Sequence, residues 1–96
     1  MSDPAGQPPT HARVVAHGRV QGVFYRDTIR RAAIERDVAG SAVNLPDGTV
    51  EAHFEGSRAD VEALIEAARA GSDAAAVTRL EIEWLAPTGA SGFRTG

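Results

Sequence analysis

Cysteine is absent from this chain of 96 residues. Its absence excludes thiol nucleophiles, thiolate metal sites and a disulfide framework, and it fits a reducing compartment. Lysine is absent too, so all ten basic residues are arginine. No apolar run approaches the roughly 18–20 residues of a membrane-spanning helix. The N-terminus lacks the apolar core of a signal peptide. A basic excess is also missing: the net charge is −3 and the pI about 5.5. That balance argues against a general nucleic-acid binder. The expectation is a soluble cytoplasmic protein acting as a monomer, with no membrane or nucleic-acid partner.

The charge that is present is unevenly placed. Residues 13–36 hold six arginines against Asp27 and Glu35, a local net of +4; the rest, four arginines against eleven acids, carries −7. One basic segment in an acidic protein can attract a small anion without binding polyanions broadly. The length suits one domain, which at this size buries roughly 60–70% of its unfolded-chain surface and folds without a staple.

Residues 1–10, with three prolines and a glycine, offer nothing to bury and are expected to form a disordered tail ahead of a domain over 11–96. Arg13 to His17 reads as a first strand, stopped by Gly18. Phe24 to Arg36 reads as a helix, with Tyr25, Ile29, Ala32, Ala33 and Arg36 recurring at helical spacing. Val38 to Asn44 is a weaker strand candidate. Leu45-Pro46-Asp47-Gly48 is a turn, because proline presets φ and Asp-Gly accepts positive φ. Thr49 to Glu55 alternates, so Val50, Ala52 and Phe54 share a face. Ser57-Arg58-Ala59-Asp60 opens a second helix, in which Val61, Leu64, Ile65 and Ala68 form the stripe and Gly71 marks the end. Val77 to Leu85 alternates again, with Leu80, Ile82 and Trp84 on one face. Phe93 and Arg94 are candidates for a short edge strand. Trp84 and the phenylalanines read as core.

Strand, helix, hairpin, helix, strand is the order of a ferredoxin-like α+β sandwich. The expected architecture is a split βαβ unit whose antiparallel sheet of four to five strands carries two helices on one face. In it the first and second strands run parallel and flank the third. The loop after the first strand and the end of the second then share one edge of the sheet, which would bring Arg26 and Asn44 together.

That edge holds the chemically suggestive residues. The stretch Gly18-Arg19-Val20-Gln21-Gly22-Val23-Phe24-Tyr25-Arg26 places a glycine-containing turn at a helix start. Free amides and the helix dipole make such a turn an anion site. The amides from about Val20 to Phe24 could converge on one phosphate-sized group, and Arg26 could clamp it bidentately. Asn44 could hold a water molecule and a ligand at once. On spacing alone, an ordinary strand-to-helix turn and a turn-forming asparagine are the simpler readings. His11, His17 and His53 show no metal-ligand spacing, and no metal or organic cofactor is expected. Ser57 is better explained as a cap than as a nucleophile.

The pattern closely resembles that of a known family. Gly18 to Arg26 resembles the first signature of the acylphosphatases, glycine-x-valine-glutamine-glycine-valine-x-aromatic-arginine. Asn44-Leu45-Pro46-Asp47-Gly48-Thr49-Val50-Glu51 resembles the second. The resemblance spans about residues 11–94. It implies hydrolysis of small acyl phosphates to a carboxylate and inorganic phosphate, which would also be an inhibitor. It further implies that Arg26 and the loop amides bind the phosphoryl group and that Asn44 orients water. Two departures stand out. Ser41-Ala42-Val43 replaces the family's common tryptophan-valine-arginine, and Asp37 stands where a helix-ending glycine is common. A non-catalytic RNA-binding module of the same fold predicts a basic sheet with exposed aromatics. Here the strands offer Glu51, His53, Glu55, Glu81 and Glu83 instead. A metabolite-binding module leaves the loop, Arg26 and Asn44 together unexplained.

Overall fold

The computed structural model describes residues 9–96. The expected tail over 1–10 therefore lies mostly outside the described residues, and Thr10 already opens the first strand. The elements follow in the order β1 (Thr10–Arg19), α1 (Tyr25–Glu35), β2 (Ala39–Asn44), β3 (Val50–Gly56), α2 (Arg58–Ala70), β4 (Ala76–Leu85) and β5 (Phe93–Thr95). They form one five-stranded sheet in the order β4-β1-β3-β2-β5. This is the ferredoxin-like α+β arrangement, with β1 and β2 parallel to each other and flanking β3.

Alternation decides which strand residues are buried. Ala12, Val14 and Ala16 of β1 pack in one core with Val50, Ala52 and Phe54 of β3 and with Ile29, Leu64 and Ile65 of the helices. Full burial of a side chain such as Ile29 or Leu64 contributes roughly 1.5–3 kcal/mol. On α1 the buried stripe is Tyr25, Ile29 and Ala33; Arg36 is instead an exposed C-cap residue whose Nη1 lies 3.1 Å from Asp60. Asp37 takes the left-handed conformation (φ 58°) that ends α1, a conformation aspartate tolerates better than most residues.

The last strand corrects one expectation. β5 pairs with β2 in parallel, so the sheet is mixed rather than wholly antiparallel. The cause is a crossing from one edge of the sheet to the other. β4 ends beside His11, at the start of β1, and β5 begins beside Gly40, near the start of β2. Four interstrand spacings of about 4.8 Å make about 19 Å, within reach of the residues 86–92 that join the strands.

That crossing is tied down in part by Glu55, one of the strand residues expected to face solvent. Glu55 is buried, and its carboxylate accepts from Thr88 N (2.8 Å), Thr88 Oγ1 (2.8 Å) and Gly89 N (2.7 Å). Burial pushes its pKa up, but these hydrogen bonds outweigh burial and hold it below the ordinary value. His11 is buried as well, with Nδ1 3.0 Å from Ala86 O and Nε2 2.8 Å from His53 Nδ1. A carbonyl can only accept, so His11 Nδ1 donates to Ala86 O.

The aromatic residues divide. Phe54 is buried and Phe93 stacks on it at 6.2 Å between centroids. Trp84 is instead 42% exposed and Phe24 81% exposed. Trp84 sits on an edge strand, where the Arg58 guanidinium lies 4.0 Å from its ring centroid in place of a packed neighbour.

Candidate active site

The chain between β1 and α1 turns with unusual backbone geometry. Gly22 has φ 74°, and Phe24, the N-cap of α1, has φ 62° and ψ 21°. No side chain caps this helix start. The first-turn amides of α1 are therefore open to an external acceptor.

Arg26 and Asn44, separated by 18 residues in the chain, do meet. Arg26 Nη1 and Asn44 N both donate to the backbone oxygen of Gly96, the latter at 3.1 Å. Asn44 Oδ1 is buried with no hydrogen-bond partner, the only such side-chain atom among the described residues. A buried acceptor left without a donor costs roughly 1–3 kcal/mol.

A cavity of about 300 Å³ opens beside Arg26, lined by Val20, Gly22, Phe24, Tyr25, Arg26, Asp27 and Thr95, with Asn44 outside this lining. Asp27 would repel an anion if left free, but Arg30 (3.1 Å) and Arg31 (2.9 Å) pair with it. The other residues of the suspected loop lie elsewhere. Gly18 and Arg19 belong to β1 and pair with Val77 and Ala76 across a bulge. A Cβ on Gly18 would lie 2.1 Å from the Ala76 oxygen, so the strand contact accounts for this glycine. The strand thus runs through Gly18 instead of stopping there. Val23 lines a neighbouring depression.

Two loop residues act as structural ties. Gln21 Nε2 donates to the carbonyl oxygens of Leu45 (2.8 Å) and Thr49 (2.9 Å), joining the loop to the turn that follows Asn44. Nothing in the local spacing of the sequence signals that tie. The Tyr25 hydroxyl donates to Ala68 O at 2.6 Å, and burial pushes its pKa up to about 12. The turn itself is braced by Asp47, whose Oδ1 accepts from Thr49 Oγ1 (2.6 Å) and Thr49 N (3.0 Å); these bonds hold its pKa below the ordinary value. Asp27 and Thr95 as cavity walls also went unread in the sequence. Asp27 is in the first helical turn and could have been placed there, whereas Thr95 arrives only through the parallel pairing of β5.

Among the described residues, no three histidine, aspartate or glutamate side chains gather as a metal-binding group. No helix among them is long and apolar enough to cross a membrane.

Similarity to known proteins extends over most of the chain. The sequence model of the acylphosphatase family matches residues 12–95. An acylphosphatase of Haloarcula marismortui is 51% identical over 84 residues, covering 88% of this chain and 92% of the relative. The acylphosphatase structure from Bacillus subtilis superposes with a TM-score of 0.88 at 31% identity, covering 91% of this chain and 98% of that one. The structure of an acylphosphatase from Coxiella burnetii gives 0.87 at 34% identity, covering 93% and 94%.

Proposed function

The chain belongs to the acylphosphatase family and is a hydrolase of acyl phosphates, and from that premise we propose that the cavity at the start of α1 is its active site. The amides of the loop and of the first turn of α1 bind the phosphoryl oxygens, with Gly22 and Phe24 setting the curve of the backbone. The Arg26 guanidinium holds two of those oxygens with its planar fork. Asn44 Oδ1 accepts a hydrogen bond from the attacking water and aligns it opposite the leaving group. The working unit is the domain of residues 11–96.

The chemistry asks for little more. Water's oxygen forms a bond to phosphorus while the bond from phosphorus to the acyl oxygen breaks. The carboxylate leaves with the electron pair, and a phosphate oxygen takes the proton from water. A carboxylate leaves readily, so holding charge and placing water supply most of the acceleration. Inorganic phosphate, as product, competes for the same donors. One observation carries this reading: the unpartnered, buried Asn44 Oδ1 lies on the residue whose backbone shares an acceptor with Arg26.

The test is hydrolysis of benzoyl phosphate, followed in the ultraviolet with and without a chelator and at several phosphate concentrations. The expected result is a rate unchanged by the chelator and competitive inhibition by phosphate. A rate abolished by chelation removes the metal-independent scheme. Inhibition that is not competitive removes the cavity as the phosphate site.

A further inference from the structure

Phe24 carries the most conspicuous side chain that the proposed chemistry leaves unused. Its ring is 81% exposed, twice the exposure of Trp84. Its backbone is left-handed, at φ 62°. That conformation is one L residues other than glycine, asparagine and aspartate seldom adopt. The ring offsets this strain neither by core packing nor by capping α1. A glycine would turn the chain into α1 with less strain, so a phenylalanine here points to a use for the ring.

Its surroundings indicate the use. Phe24 lines the Arg26 cavity and also a second depression of about 390 Å³ on its other side, with Val23, Thr28, Gly71, Ser72 and Ala74. Ser72 Oγ is committed to Val23 O at 2.6 Å, and Thr28 Oγ1 to Phe24 O at 3.0 Å, so these hydroxyl protons are already spent. The small walls and the ring present apolar surface to whatever leaves the phosphate cavity over Phe24. Asp73 on the rim is the one charged residue there and disfavours an anionic tail.

We propose that Phe24 and the depression behind it form the acyl subsite, which selects acyl phosphates with an uncharged aromatic acyl group over acetyl phosphate. With the phosphoryl group held by Arg26 and the loop, the acyl group lies across the Phe24 ring and projects into the depression. Stacking and apolar burial then add binding that a methyl group cannot supply. This deepens the reading of the Arg26 cavity as the phosphate site and rests on it.

The experiment compares kcat/KM for benzoyl phosphate and acetyl phosphate in the wild type, Phe24→Leu, Phe24→Gly and Ala74→Trp. Glycine suits the left-handed backbone, so Phe24→Gly removes the ring without adding strain. Ala74→Trp fills the depression from outside the Arg26 cavity. The benzoyl-to-acetyl ratio is expected to fall roughly fivefold to tenfold in each variant, the scale of a lost aromatic contact. A ratio that stays at the wild-type value in the Phe24 variants, both substrates changing by a common factor, overturns the acyl subsite. A fall in the Phe24 variants with none in Ala74→Trp overturns the depression as part of it. A wild type that hydrolyses both substrates without competition by phosphate instead overturns the underlying placement of the phosphate.

Discussion

The two helices begin in opposite ways. At α2, Ser57 is extended (φ −62°, ψ 151°), and its Oγ accepts from Asp60 N at 3.2 Å and donates to Asp60 Oδ2 at 2.9 Å. At α1, Phe24 is left-handed and no side chain reaches the first-turn amides. The first start is capped at Asp60 N by its own serine and serves stability. The second keeps its donors open next to Arg26, at a conformational cost borne by the rest of the fold. An uncapped, strained helix start is tolerated when the open amides have a ligand to bind.

The comparison breaks most sharply at Arg26 and Asn44. Arg26→Ala and Asn44→Ala are each expected to lower kcat on benzoyl phosphate by roughly 10²-fold or more. Arg26→Lys should not restore the rate, since an ammonium cannot reproduce a bidentate fork. Wild-type turnover by Arg26→Ala would remove that residue from the site.

A smaller and opposite effect belongs to α2. Ser57→Ala should cost about 1 kcal/mol of stability, read from urea denaturation, because the cap on Asp60 N is lost. Its kcat/KM should stay at the wild-type value, because no residue of α2's start lines the Arg26 cavity. A drop in kcat/KM with unchanged stability would reverse the roles assigned to the two starts.

The mildest effect is that of acid, and it separates the two starts again. Burial lowers the His53 pKa below its ordinary 6.5 against the pull of the Glu51 carboxylate, so folding favours the neutral ring. Its contribution is complete above pH 6.5 and is lost as the pH falls below that through the lowered value. Glu55, also held below its ordinary 4.5, contributes fully above that pH and loses its contribution as the pH falls further. Glu55 anchors the 86–92 crossing that delivers β5 and Gly96 to Arg26, whereas α2's start is held by Ser57 and Asp60. Melting temperature should therefore decline in two steps on acidification, and phosphate affinity should fall before helical circular dichroism does. A melting temperature flat from pH 7 down to about pH 2 would contradict both assignments.

Much of this was legible in the residues themselves. The Leu45-Pro46-Asp47-Gly48 turn, the Ser57 cap, the Gly71 stop and the alternation of β3 depend on contacts a few residues apart, and each took the expected form. Element order was sufficient for the ferredoxin-like frame. Other features depend on neighbours distant in the chain. Glu55 alternates onto the outer side of β3, but Thr88 and Gly89 bury it. Trp84 alternates with the core residues, yet an edge strand leaves it half covered. Gly18 resembles a loop residue until the Ala76 oxygen is found against it.

The sequence by itself determined where the helices and turns lie, which segment is basic, and that a glycine turn precedes Arg26, because these follow from backbone preferences and charges carried by adjacent residues. Only the tertiary structure decided that Arg26 and Asn44 share the Gly96 oxygen, that Gln21 ties the loop to the turn after Asn44, and that the Phe24 ring faces solvent between two cavities. Those facts arise from strand order and from the crossing of residues 86–92. Proximity between distant segments is a property of the closed sheet, and no local preference encodes it.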